Sequence, residues 1–246
     1  MQTKLNEKGE RVYVFDEYPD IEVRPEVITT GDVAEVVPAS KKFKWLVKRL
    51  MHLLQIDEVN RVHSKWCQTP GPEFVKHLMV DDFKIPLQVD NAEVLDRFKE
   101  GAFITVSNHP FGSIDGIALI YIVTRVRPKF KVMVNMILNQ LSAMRPNFIA
   151  VDQAASDKPD RRRVSVQGIR EALSMLKAGE PVGFFPAGAI GKTDKEGIIV
   201  DRPWQPAVLQ IIMKSKVPVI PIYFHGSNSR FFNWLGHHSI LLRTAC

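Results

Sequence analysis

The 246-residue sequence has only two cysteines, Cys67 and Cys246, too few and too far apart for a disulfide framework or a thiolate metal site. This predicts a reducing compartment. No stretch reaches the ~18 uninterrupted apolar residues of a membrane span, and the first residues, Met-Gln-Thr-Lys-Leu-Asn-Glu-Lys, lack the apolar core of a signal peptide. The expectation is a cytoplasmic protein that does not cross a bilayer by itself. There is no Gly-x-Ser-x-Gly elbow, so a serine hydrolase would have no nucleophile. His225, His237 and His238 stand without further ligands at metal spacing, which argues against zinc. Gly188-Ala-Ile-Gly-Lys-Thr193 resembles the end of a phosphate-binding loop, but Pro186 sits where that loop needs glycine. Internal repeats and low-complexity tracts are absent as well.

What is present is an excess of basic charge, 33 Lys and Arg against 27 Asp and Glu, on an otherwise ordinary globular composition. That balance suits an anionic partner: nucleic acid, an anionic membrane surface or an acidic carrier protein. Nucleic acid fits least, because the basic residues are not interleaved with aromatics in a recognisable module.

The organising stretch is Phe103-Ile-Thr-Val-Ser-Asn-His-Pro-Phe-Gly-Ser-Ile-Asp115. Ala102 to Val106 is a short run of strand formers, while Ile114 to Val123 repeats apolar residues at helical spacing. The polar cluster between them therefore lies where a strand hands over to a helix. In an open α/β sheet this is the crevice where ligands bind. Ser113 is placed to cap the helix and Asp115 lies in its first turn, where the helix dipole favours a carboxylate. A carboxylate holding one imidazole nitrogen of His109 leaves the other free to take a proton. Taken singly, such residues are more often a helix start and a satisfied loop histidine.

The stretch Asn-His-Pro-Phe-Gly-Ser-Ile-Asp resembles the His-Asp box of the glycerolipid and lysophospholipid acyltransferase superfamily. More narrowly, it resembles the bacterial hemolysin-like and amino-acid-lipid sub-families. The common box has four residues between His and Asp; this one has five, and Gly112 is the residue able to absorb the extra one. Gly183-Phe-Phe-Pro-Ala-Gly-Ala-Ile-Gly191 is similar to the superfamily's Phe-Pro-Glu-Gly box, with Ala187 in place of the glutamate. Asn147-Phe-Ile-Ala-Val-Asp152 lies where the family often has an arginine box, and its corresponding residues are apolar. Val217-Pro-Val-Ile-Pro-Ile is similar to the fourth, apolar box.

The resemblance implies an enzyme of membrane lipid synthesis that moves an acyl chain from a thioester to a hydroxyl or amine of a lyso-lipid or amino-acid-derived acceptor. His109 would be the general base and Asp115 its orienting partner. Asn108, Gly188, Gly191 and Arg145 are the candidate substrate-binding residues, the glycines through backbone N–H groups. Arg161, Arg162 and Arg163 form a further basic run. No metal or resident cofactor is implied; acyl carrier protein or coenzyme A brings the acyl chain as co-substrate. The alternative is a peripheral lipid-binding protein that kept the fold without turnover, which the missing glutamate makes conceivable.

Strands alternating with helices of about a dozen residues predict an α/β fold, a layered and mostly parallel sheet flanked by helices. The predicted division is residues 1–90, an N-terminal arm and amphipathic helical region, and 91–246, the acyltransferase domain. Residues 1–38, broken by prolines, read as an irregular arm leading into a helical extension. From Ser40 to Leu54, Phe43, Leu46, Val47, Leu50, Met51 and Leu54 recur at helical spacing among Lys41, Lys42, Lys44, Lys48 and Arg49, with Trp45 among them. Such a helix either packs on its own domain or rests on an anionic membrane, here the cytoplasmic face of the inner membrane. The apolar run Ile240 to Cys246 has no closing turn, so the natural C-terminus is expected further on.

Overall fold

The computed structural model describes residues 1–152, 159–194 and 199–228. The chain forms two compact units. One comprises residues 1–86 with 137–146, and the other residues 87–136 with 147 onward.

The first unit begins with a three-stranded antiparallel sheet, β1 (Gln2–Leu5), β2 (Arg11–Phe15) and β3 (Tyr18–Val23), in that order. This corrects the irregular arm expected for residues 1–38: antiparallel strands precede the helical region. Two tight turns make the sheet possible. In the first, the Asn6 side chain accepts from the backbone N–H groups of Lys8 and Glu10. In the second, Phe15 pairs with Tyr18 across two residues. Pro19 is tolerated because β3 is an edge strand.

Four helices follow: α1 (Thr30–Val36), α2 (Lys44–Leu53), α3 (Ile56–Trp66) and α4 (Pro72–His77). Thr29 caps α1, its hydroxyl accepting from Asp32 N–H while the Asp32 carboxylate takes the Thr29 N–H. His63 on α3 is a structural histidine. Buried, it shares Nδ1 with Pro25 O at 2.9 Å and takes the Ala143 N–H on Nε2 at 3.3 Å. Both ring nitrogens are spent, and burial pulls its pKa down.

The second unit is the predicted α/β layer. Five parallel strands, β4 (Ile104–Ser107), β5 (Lys131–Asn135), β6 (Phe148–Val151), β7 (Val182–Phe184) and β10 (Val219–Ile222), lie in the order β10-β4-β7-β5-β6. The helices α5 (Ser113–Thr124), α6 (Pro159–Lys177) and α7 (Pro206–Ser215) accompany the sheet, and β8 (Lys192–Thr193) pairs with β9 (Ile199–Val200) in a small antiparallel ribbon. Every residue of β4 is buried, and α5 buries Ile117, Ala118, Leu119, Ile120 and Val123, so strand and helix both belong to the interior. Ile104, Val106, Ile149, Val182 and Phe184 from the sheet join Ala172 and Leu176 of α6 and Val208 and Ile211 of α7 in one core cluster. The prolines at 218 and 221 are accommodated because β10 is an edge strand. Between β5 and β6 the chain forms two short 3-10 helices, Met136–Gln140 and Ser142–Asn147, the second containing Pro146. No helix among the described residues is long and apolar enough to cross a membrane.

Because β10, β4 and β7 are parallel neighbours, their C-terminal ends open side by side. Asn108-His109, Phe185-Pro186 and Tyr223-Phe224 therefore leave the sheet along one edge.

Candidate active site

Asp115 is fully buried at the start of α5, and the loop from His109 to Gly112 wraps around its carboxylate. Oδ2 accepts the N–H of Phe111 at 2.9 Å and of Gly112 at 3.0 Å, and stands 3.0 Å from His109 Nδ1. Gly112, not Ser113, is the N-cap residue. Its φ of +88° is open to glycine at little cost, and a Cβ there would meet Ile190 Cδ1 at 2.8 Å. This is the residue that lets a five-residue spacer return Asp115 to His109.

The imidazole approaches Asp115 off the hydrogen-bond axis. Nδ1 is thus close to the carboxylate without a formed hydrogen bond, and Asp115 Oδ1 is buried with no donor among the described residues. A carboxylate this close to Nδ1 can accept its N–H as a hydrogen bond after a small turn of the ring, which fixes the tautomer with Nε2 unprotonated. His109 Nε2 has no partner among the described residues, and the side chain keeps 18% of its surface accessible. The contrast with His63 is chemical: one histidine has both nitrogens committed, the other has one nitrogen held near a carboxylate and one available. The Phe185 ring, with its centroid 4.4 Å from that of His109, forms an apolar wall beside the imidazole.

Asn108 braces the strand ends. Its Nδ2 donates to Phe224 O at 2.9 Å and its Oδ1 accepts Phe224 N–H at 2.7 Å, extending the β4–β10 pairing beyond the last strand residue. Gly188 (φ +68°) sits in the turn after β7, where its N–H donates to Phe185 O. The Gln205 side chain lies where a Gly188 Cβ would be, and Gln205 N–H donates to Pro186 O. Gly191 N–H donates to His109 O at 3.0 Å. The N–H groups of both glycines are therefore used within the loops that hold His109. Ala187 is buried and brings no carboxylate. Arg145 belongs to the first unit, where its guanidinium donates to Asn139 O and Glu22 O. The side chains of Arg161 and Arg162, as well as His237 and His238, lie outside the described residues.

Asp201, which no motif marks, reaches the site from the segment after β9. Its Oδ1 accepts the main-chain N–H of His109 at 3.2 Å. Burial holds its carboxyl above the usual aspartate range and the Asp115 charge adds to this, while the contacts with His109 pull the other way. The one sequence signal available was position: Asp201 lies four residues before Gln205, which clamps the turn after β7.

Comparison with known proteins places this geometry in a family. A family model described as an acyltransferase matches residues 30–243. The chain is 28% identical, over 190 residues and 77% of its length, to a lyso-glycine lipid O-acyltransferase of Bacteroides thetaiotaomicron, and the match spans 66% of that protein. It is 27% identical, over 199 residues and 79% of its length, to a lyso-glycine lipid O-acyltransferase of Phocaeicola vulgatus, spanning 67% of it. The match thus spans about two thirds of the length of these relatives. With its His109–Asp115 box at the end of β4 and a family match over most of its length, the chain belongs to this acyltransferase family.

Proposed function

We propose that this protein transfers an acyl chain from a thioester to a hydroxyl of a lyso-lipid built on an amino acid, with His109 as general base. The observation that carries the reading is the His109–Asp115 pair: a buried carboxylate 3.0 Å from Nδ1 with Nε2 left available. Nε2 removes the proton of the acceptor hydroxyl as its oxygen attacks the thioester carbonyl carbon. The C–O bond forms, the C–S bond breaks, and the departing thiolate takes the proton back from the imidazolium. Asp115 keeps Nδ1 protonated and faces the positive ring in between. The products are an ester and a free thiol, and no acyl-enzyme is required. The donor thiol is the pantetheine arm of acyl carrier protein or coenzyme A, and the basic excess of the chain suits the acidic carrier. The relatives act on lyso-glycine lipid, and the acceptor proposed here is of that class.

The protein works on an anionic membrane surface, where its lipid acceptor resides, on the cytoplasmic face. Supporting this, α2 buries only Met51 and leaves Trp45 65%, Leu46 50%, Leu50 53% and Leu53 75% exposed, beside the exposed Lys44, Lys48 and Arg49. An apolar stripe flanked by lysines and left uncovered suits headgroups better than a protein core. Mass spectrometry of the lipids formed by the purified protein from mixed thioester donors and mixed lyso-lipid acceptors tests the reading; a di-acyl amino-acid lipid is the product expected. Binding of those lipids to vesicle-associated protein with no product would instead favour a lipid-binding protein without turnover, the reading that Ala187 keeps open.

A further inference from the structure

The buried or half-buried guanidinium groups of Arg24, Arg127 and Arg145 are spent on acceptors. Arg24 forks onto Asp32 at 3.0 and 2.7 Å, Arg127 reaches Gly179 O and the Glu180 carboxylate, and Arg145 reaches Asn139 O and Glu22 O. Arg202 differs. Its Nε is buried with no hydrogen-bond acceptor, and among the described residues it is the only guanidinium nitrogen in that state. It also forms no ion pair with a described residue. A buried, unpaired N–H on a permanent cation is unfavourable, and such a group in a folded protein calls for an explanation, of which an absent ion or ligand is one.

Its place in the chain says what that ligand would be near. Arg202 directly follows Asp201, whose carboxylate holds the His109 main chain, so their Cα atoms are about 3.8 Å apart. The segment carrying both is pinned by Gln205, through its N–H on Pro186 O and its side chain over Gly188. The segment that carries this arginine is thus fixed one residue from the contact with the base, and its guanidinium has an N–H without an acceptor. Guanidinium forks match carboxylate and phosphate oxygens in geometry as well as charge.

We propose that Arg202 is the oxyanion anchor of the acceptor site, binding the head-group carboxylate of an amino-acid lyso-lipid while His109 works on its hydroxyl. This rests on the acyl-transfer reading above and names the group by which the acceptor is recognised. The same chemistry would hold the phosphate of a lysophosphatidic acid, so the experiment separates the two.

The experiment compares three acceptors with one thioester donor: N-(3-hydroxyacyl)glycine, its methyl ester, and lysophosphatidic acid. In the wild-type protein the free acid should be preferred over the ester by about 10- to 100-fold in kcat/KM, the range of a hydrogen-bonded charge pair, mostly through KM. Arg202→Gln should bring that ratio to about one, and Arg202→Lys, which keeps the charge and loses the fork, should leave an intermediate ratio. An acid-to-ester ratio unchanged in both variants overturns the proposal, whether or not their absolute rates fall. Loss of rate with lysophosphatidic acid in place of the glycine acceptor would uphold the anchor and assign it to phosphate. Calorimetric binding of the acid and the ester to wild-type and Arg202→Gln protein gives a readout independent of turnover. If no acceptor is acylated yet the acid binds in an Arg202-dependent way, the acyl-transfer reading falls and the anchor stands. If acid and ester bind alike, the anchor falls.

Discussion

Asp201 Oδ1 accepts the main-chain N–H of His109 at 3.2 Å although 92 residues separate the two. The base is therefore held from two directions, with Asp115 beside its ring and Asp201 at its backbone, and the two carboxylates differ in kind. Asp115 is saturated by backbone N–H groups on one oxygen and sealed from solvent. Asp201 is half-buried, with a carboxyl lifted above the aspartate range.

That lift makes a stability prediction with a definite sign. A carboxyl whose folded pKa exceeds its unfolded value lets the folded state bind the proton more tightly. It therefore costs stability as pH rises from the ordinary aspartate value, about 3.9, through the raised one, and the cost persists at neutral pH. Asp201→Asn keeps an oxygen for the His109 N–H and removes the charge. Its Tm should exceed that of the wild-type protein at pH 7, with the difference closing at about pH 3; a gap that stays constant across this range would show that the carboxyl is not strained.

Asp115→Asn acts differently, because Asp115 serves both the loop and the base. The amide oxygen can still accept the N–H groups of Phe111 and Gly112, both of which lie on Oδ2, but the charge that strengthens those bonds and faces a protonated His109 is gone. The loss should reach about 1–3 kcal/mol of stability as well as most of the activity. Denaturant melts alongside rates check this, and wild-type stability in the variant would mean that the carboxylate does not hold the loop.

Gly112→Ala probes the turn that absorbs the long His-Asp spacer. With φ at +88° and Ile190 Cδ1 2.8 Å from the new Cβ, the alanine should cost about 1 kcal/mol or more and lower the rate by displacing His109 from Asp115. Alanine without effect in melting and in turnover would show that the loop does not need this conformation.

For the membrane surface, Lys44→Glu with Lys48→Glu should weaken co-sedimentation with vesicles containing anionic lipid, each lysine near the surface contributing about 1 kcal/mol. Trp45→Ala should weaken it further at any salt concentration. Both changes fall on exposed residues, so the fold should be unaffected. Unchanged sedimentation at low salt would remove α2 from the membrane account.

Much of the second unit was legible in the sequence because its signals are local. The change from strand formers at 102–106 to helical spacing at 114–123 marks the β4–α5 junction. The N-cap shifted by one residue, from Ser113 to Gly112, because Asp115 itself satisfies the N–H groups that a serine would have capped. The N-terminal sheet was missed because its strands are short, carry Pro19, and are joined by side-chain-stabilised turns that show no period. Asp201 and Arg202 were invisible for another reason. They belong to no motif, and only the β8–β9 ribbon and the Gln205 clamp bring their segment to His109. Arg145 was readable as an arginine near a box, but its partners Glu22 and Asn139 are set by tertiary structure.

The central claim is that His109 is the base of an acyl transfer to a lyso-lipid, and one measurement bears on it most directly: the rate at which purified protein moves a labelled acyl chain from a thioester donor to lyso-glycine lipid, wild type against His109→Ala. The account predicts di-acyl glycine lipid from the wild-type protein and a loss of about 100-fold or more in the folded variant. A His109→Ala protein that keeps more than about a tenth of the rate would contradict it.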